Sequence, residues 1–183
     1  MLLDRKQSCV VLVDVQEKLL PLIDEHESLI RHCAWVLRVA QRLNIPIIVS
    51  EQYPKGLGPT SSALKEIIST ESVQEKLYFS CASDANCLKA IENLKRNQIV
   101  LMGIETHVCV LQTALELQAQ HKQVFVVVDA VSSRKQLDKK YGLKRMSKAG
   151  VELITREMMV FEWLRQSGTP EFKQISQEFL KVS

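Results

Sequence analysis

Apolar residues in this chain fall into runs of two kinds. Residues 8–15 (SCVVLVDV) are almost continuously apolar and rich in β-branched side chains, then stop at a polar cluster. A strand buried on both faces reads this way. From about 24 to 43 the spacing changes to three and four, with Ile30, Ala34, Leu37, Ala40 and Leu43 on one side of an amphipathic helix. Asn44, Ile45 and Pro46 end it. The alternation then repeats. Strands are predicted at 47–50 (IIVS), 73–79, 99–102 (IVLM, closing at Gly103), 124–128 (VFVVV, closing at Asp129) and 152–154. Helices are predicted at 63–68, 87–94, 108–120, 138–149 with Gly150 as its cap, 159–164 and 171–180. Strands separated by helices imply an α/β fold, a parallel sheet with helices on both faces. No repeat or linker interrupts the pattern, so residues 1–183 are read as one domain.

Charge and composition narrow the partners. A net charge of +3 is too small to make nucleic acid or an anionic membrane the main partner. No apolar run approaches the roughly 20 residues that span a bilayer. MLLDRKQ lacks the apolar core of a secretory signal, so a cytoplasmic location is expected. The five cysteines, Cys9, Cys33, Cys81, Cys87 and Cys109, form no CxxC pair, which argues against a disulfide framework and a zinc site. No metal and no cofactor are expected; Gly56 and Gly58 lack the third glycine and the long following helix of a dinucleotide loop. One charge run stands apart. Between 134 and 148, Arg134, Lys135, Lys139, Lys140, Lys144, Arg145 and Lys148 are relieved only by Asp138. A solvated helix face explains this run, and an RNA or anion surface is the alternative.

In an open parallel sheet, ligands bind beyond the carboxyl ends of the strands. That rule selects Asp14 and Gln16, residues 51–58, Lys76 to Ser80, Gly103 to Cys109, and Asp129 to Arg134. Cys109 falls in the first turn of a helix that follows a strand directly. Positive potential there favours a thiolate, and unpaired N–H groups could hold an oxyanion; the alternative is a core cysteine. Cys109 is therefore expected to be the most reactive thiol, exposed to a cleft and with a pKa below the free value. Asp14 could serve as a base or cap the following segment. Lys76 could stabilise thiolate and oxyanion, although taken alone it reads as a surface lysine. His107, two residues from Cys109, should point away from it; His26, His32 and His121 share no spacing.

Asp14 in VLVDVQEKL, Lys76 in EKLYFS and Cys109 in GIETHVCVLQTALEL resemble, in order and spacing, the triad of isochorismatase-like cysteine hydrolases. EQYPKGLGPT and VVVDAVSSR narrow the resemblance to the isochorismatase domain-containing branch, and the similarity runs from about residue 8 to 157. It implies a three-layer α/β/α, Rossmann-like fold with six parallel strands, usually in a homo-oligomer. It also implies Asp14 as base, Cys109 as nucleophile, Lys76 as electrostatic partner, and a cis peptide at Ile104–Glu105 that turns N–H groups toward the oxyanion. Cys109 departs from true isochorismatases, which cleave a vinyl ether without a nucleophilic cysteine. Tyr53, Pro54 and Lys55 stand where related nicotinamidases carry metal-binding histidines.

The expectation is hydrolysis of a small-molecule amide, or a similar C–N bond, through a thioester. Asp14 takes the thiol proton, Cys109 attacks, and Lys76 joins the N–H groups of Glu105 and Cys109 at the oxyanion. Gln16, Tyr53, Phe79 and Thr106 are expected to shape the pocket. The alternatives are a retired enzyme kept as an interaction module, and RNA binding through 134–148.

Overall fold

Segments this apolar cannot leave either face in water, and six of them pair into one all-parallel sheet. The computed structural model describes residues 1–181. In chain order come β1 (Ser8–Val13), α1 (His26–Arg42), β2 (Ile47–Gln52), α2 (Pro54–Leu57), α3 (Ser62–Lys65) and β3 (Val73–Lys76). They are followed by α4 (Ala85–Asn93), β4 (Gln98–Ile104), α5 (Leu111–Ala119), β5 (Gln123–Ser132), α6 (Gln136–Lys148) and β6 (Glu152–Ile154). α7 (Arg156–Leu164) and α8 (Pro170–Ile175) close the series.

The strands lie in the order β3-β2-β1-β4-β5-β6. The chain winds outward from β1 through β2 to β3, then crosses back to β4 and winds the other way. The direction reverses between β1 and β4, and an open α/β sheet leaves its binding crevice at that switch point. Side-chain alternation sends the two faces of each strand to different cores. Val10, Leu12, Val100 and Met102 pack with Val36, Leu37 and Ala40 of α1. Cys9, Val11, Val13, Ile99 and Leu101 pack with Ile91 of α4 and Ala114 and Leu117 of α5. Two helical layers therefore enclose the sheet, as the pattern of the sequence implied.

The strand ends differ from the sequence reading, and they differ where the chemistry lies. β1 stops at Val13 because Asp14 turns into the left-handed region, with φ 53°. Asp tolerates this better than most residues, and the turn aims its side chain out of the pleat. β2 runs on to Gln52, whereas β3 ends at Lys76. Leu77, Tyr78 and Phe79 leave the sheet and stand exposed. β5 continues to Ser132 after a register shift opposite Leu101 and Gly103. At Gly103, φ is +116° and an added Cβ would lie 2.1 Å from the Val13 carbonyl oxygen. Only glycine lets β1 and β4 approach this closely at the switch point.

Candidate active site

Asp14 follows the carboxyl end of β1, and Ser50 on β2 holds it twice. The Ser50 carbonyl accepts from the Asp14 N–H at 3.1 Å. The Ser50 hydroxyl donates to Asp14 Oδ1 at 2.7 Å. The other carboxylate oxygen accepts from Lys76 Nζ, also at 2.7 Å, and both side chains of this ion pair are fully shielded from solvent. Lys76 is thus not the surface lysine that its local sequence suggests. Its ammonium also donates to Gln52 Oε1 at 2.7 Å, the Phe79 carbonyl at 3.0 Å and the Tyr78 carbonyl at 3.2 Å.

Gln52 and Lys76 are register partners on adjacent parallel strands. The Gln52 carboxamide nitrogen donates to the Leu77 carbonyl, which fixes its oxygen toward the lysine. Burial works against the Lys76 charge and is the largest single influence, but the Asp14 carboxylate, Cys109 and Cys81 together outweigh it, and the lysine pKa is raised from its ordinary value.

Cys109 reaches this pair from the far side of the switch point. It lies in a π-helical turn, Thr106–Val110, that runs into α5. The Ile104–Glu105 peptide before the turn is cis. The N–H groups of Val108 and Val110 both return to the Glu105 carbonyl. The end of β5 pins the turn at three points. Thr106 Oγ1 donates to the Ser132 carbonyl, His107 Nδ1 meets Ser133 Oγ at 3.0 Å, and Glu105 Oε2 accepts from the Arg134 N–H and side chain. His107 is therefore engaged away from the cysteine, as its spacing implied.

Cys109 is 7% exposed, which corrects the expectation of an open, acidified thiol. Burial pushes its pKa up, and the Asp14 carboxylate pushes it further, both as a charge and by accepting the thiol hydrogen bond. The Lys76 ammonium pulls it down without reversing the sum. The turn before α5 is also wider than an α-helical start, so the first-turn argument from sequence does not apply unmodified. These surroundings favour the neutral form of the Cys109 thiol.

The other anticipated residues divide. Gln16 is buried and wholly engaged: Nε2 donates to the carbonyls of Gln52 and Gly58, and Oε1 accepts from the Gln52 N–H. It clamps the loop after β2 and does not line the pocket. The Thr106 hydroxyl likewise points at β5. Tyr53 and Phe79 are half exposed, and of the two Tyr53 lines the neighbouring cleft. A cleft of about 420 Å³ beside the site is walled by Tyr53, Pro54, Glu75, Lys76, Leu77 and Asp84 among others. Sequence reasoning missed Ser50; Gln52, Ser133 and Arg134 lie inside the strand-end segments it selected but were given no role of their own. A lone Ser at the carboxyl end of IIVS, one strand from Asp14, was the available signal for Ser50. Among the described residues, no three His, Cys, Asp or Glu side chains converge in the way a metal ion would need. No described helix is long and apolar enough to cross a membrane.

The family described as Isochorismatase domain matches residues 8–158. Mouse isochorismatase domain-containing protein 2A is 38% identical over 172 residues, covering 93% of this chain and 81% of its own. Zebrafish isochorismatase domain-containing protein 1 is 36% identical over 170 residues; the match covers 93% of this chain but 59% of that longer protein. A Caenorhabditis elegans structure described as MAR1 ribonuclease superposes with a TM-score of 0.91 at 35% identity, covering 100% of this chain and 93% of that one. Escherichia coli YcaC, described as an octameric hydrolase of unknown specificity, shares the fold with a TM-score of 0.87 at 23% identity, covering 100% and 98%.

Proposed function

The chain belongs to the isochorismatase-like hydrolase family, and from that footing we propose that it cleaves a small amide, or a related C–N bond, through a thioester acyl-enzyme. The observation that carries this reading is one buried carboxylate, Asp14, bonded to the Lys76 ammonium at 2.7 Å and near enough to the Cys109 thiol to oppose its ionisation. A thiolate formed in advance would be penalised by burial. Proton transfer coupled to attack avoids that cost. The Cys109 sulfur adds to the substrate carbonyl carbon as Asp14 takes its proton, and the carbonyl π pair moves to oxygen. The N–H groups of Glu105 and Cys109 receive the oxyanion. The C–N bond then breaks, and the amine leaves with the proton from Asp14. Water, deprotonated by the same carboxylate, attacks the thioester and releases the acid and the thiol.

Lys76 takes a narrower part than the sequence suggested. An ammonium has three protons, and four protein oxygens already receive them. It therefore acts through Asp14 and through its charge, leaving direct contact with the oxyanion to the backbone. Tyr53 and Phe79 border the substrate. The octameric E. coli neighbour and the exposed run Leu77, Tyr78 and Phe79 support assembly as a homo-oligomer.

A panel of small amides and ureas, acid-quenched during turnover and examined by intact mass, tests the reading. The expected result is an acyl mass increment on the Cys109 peptide, absent with turnover in Cys109→Ala. Hydrolysis surviving in Cys109→Ala would end it. A retired enzyme would give neither increment nor selective Cys109 alkylation.

The charge on α6 favours a second reading, nucleic-acid binding, and a ribonuclease is the description given to the C. elegans structure. Lys140, Lys144, Arg145 and Lys148 share the exposed side of α6 with Leu137 and Tyr141, which are 64% and 54% exposed. Lys144 Nζ stands 5.7 Å from the Tyr141 ring centre. Cations flanking an exposed ring suit a single strand. Three or four phosphate contacts would give a log–log salt slope of about −2 to −3 for a short single-stranded RNA. Replacing Lys140, Lys144 and Lys148 together by Gln should flatten the slope. Equal binding by the replaced protein would exclude the surface.

A further inference from the structure

We infer that Ser50 is a positioning residue for the Asp14 base; the inference rests on the reading of Asp14 given above. Ser50 is fully buried on β2, opposite Val13 in register, so it adjoins the turn at Asp14 directly. Its carbonyl holds the Asp14 backbone and its hydroxyl holds Oδ1, while Lys76 holds Oδ2 from a different strand. Gripped at both oxygens, the carboxylate cannot rotate about its Cβ–Cγ bond, and its remaining lone pairs stay turned to the Cys109 thiol. Without Ser50 only the lysine fixes it, and a flexible ammonium does not define the carboxylate plane.

The direction of the Ser50 proton is fixed as well. Asp14 as a carboxylate can only accept, so the hydroxyl proton lies on the bond to Oδ1.

A hydroxyl that donates to a carboxylate favours its ionised form. The titratable groups facing Asp14 are Lys76 from β3, Cys109 from the π-helical turn and Cys81 from the segment after β3. None of them changes in a Ser50 variant. In Ser50→Ala the base becomes harder to ionise, and the acid limb of Cys109 reactivity moves to higher pH. Ser50→Thr keeps the donor and suits a strand position.

The test measures Cys109 alkylation by limiting iodoacetamide from pH 4 to 9 in the wild-type protein, Ser50→Ala and Ser50→Thr. The acid-side midpoint is expected to rise by about one pH unit in Ser50→Ala, a tenfold change in proton affinity, and to return in Ser50→Thr. Superimposable profiles would overturn the inference, and so would an equal shift in Ser50→Thr, which would assign the effect to shape alone. If wild-type Cys109 shows no selective labelling, the hydrolase reading fails instead. The grip of Ser50 is then still read from the pH midpoint of the Asp14 carboxyl ¹³C resonance, with the same order expected among the three proteins and an unmoved midpoint counting against it.

Discussion

Lys76→Met is expected to destabilise the fold by about 3–5 kcal/mol, the usual cost of removing one partner of a buried ion pair. The reason is what stays behind. The Asp14 carboxylate, fully shielded, would face no compensating charge, and the oxygens of Gln52, Tyr78 and Phe79 would lose a common donor. An apolar side chain of similar length fills the space but satisfies none of these groups. Asp14→Asn combined with Lys76→Met should recover a large part of the loss, because no isolated charge remains. Urea unfolding of both single variants and the double variant gives the coupling directly. A loss below about 1 kcal/mol for Lys76→Met, the range of an exposed pair, would mean that the pair is wet in solution.

Alkaline conditions should be more damaging still. Burial raises the pKa values of Cys9, to about 12, and of Cys33 and Cys109, and a hydrogen bond to Cys81 raises that of Cys87. The folded chain thus favours retaining four thiol protons that the unfolded chain releases near the ordinary value of 9.0. A raised pKa gives stability that is complete below the unfolded value and lost as pH climbs toward the folded one. Four such groups give a slope of about 5 kcal/mol per pH unit above pH 9. Set against a typical total of about 5–15 kcal/mol, this should unfold the protein by about pH 11–12. Lys76, whose pKa is also raised, adds to the decline once pH passes its ordinary value of 10.5. Unfolding free energies at pH 8, 9, 10 and 11 check the prediction, and Cys33→Ala should remove about a quarter of the slope. A flat profile across that range would show that these thiols ionise in the folded state.

Much of this architecture was legible because burial on both faces leaves an unmistakable mark on a strand. Runs such as SCVVLV and IVLM have no competing explanation, and 152–154 coincides with β6 at both ends. The positions of Asp14, Lys76 and Cys109 beyond three strand ends followed from sheet topology and from the family resemblance together. What could not be read was depth. Lys76 looks like a surface residue because its partners, the Gln52 side chain and the Tyr78 and Phe79 carbonyls, are brought to it by tertiary contacts that no sequence pattern records. Cys109 was placed in an open cleft because helix-start logic describes a local field and is blind to the layers above it. Gln16 and Thr106 were assigned to a pocket on polarity alone, yet their polar atoms satisfy loop and strand backbone. The bend at Asp14 and the extension of β5 both trace to the close approach at Gly103, a contact between residues some ninety positions apart.

That separation means the site is divided between the two halves of the molecule. Asp14, Ser50, Gln52 and Lys76 all precede the turn between α4 and β4, and Cys109 with its supports at Ser132, Ser133 and Arg134 follows it. The seam is the pairing of β1 with β4, six register pairs from Ser8↔Gln98 to Val13↔Gly103, whose side chains are buried throughout. A break at 95–97 would give one fragment holding Asp14, the proposed base, and another holding Cys109, the proposed nucleophile. Each would expose half of the most apolar surface in the protein. Reunion of the fragments would complete the sheet and the chemistry in the same event, so enzymatic competence would itself report that the two pieces had met.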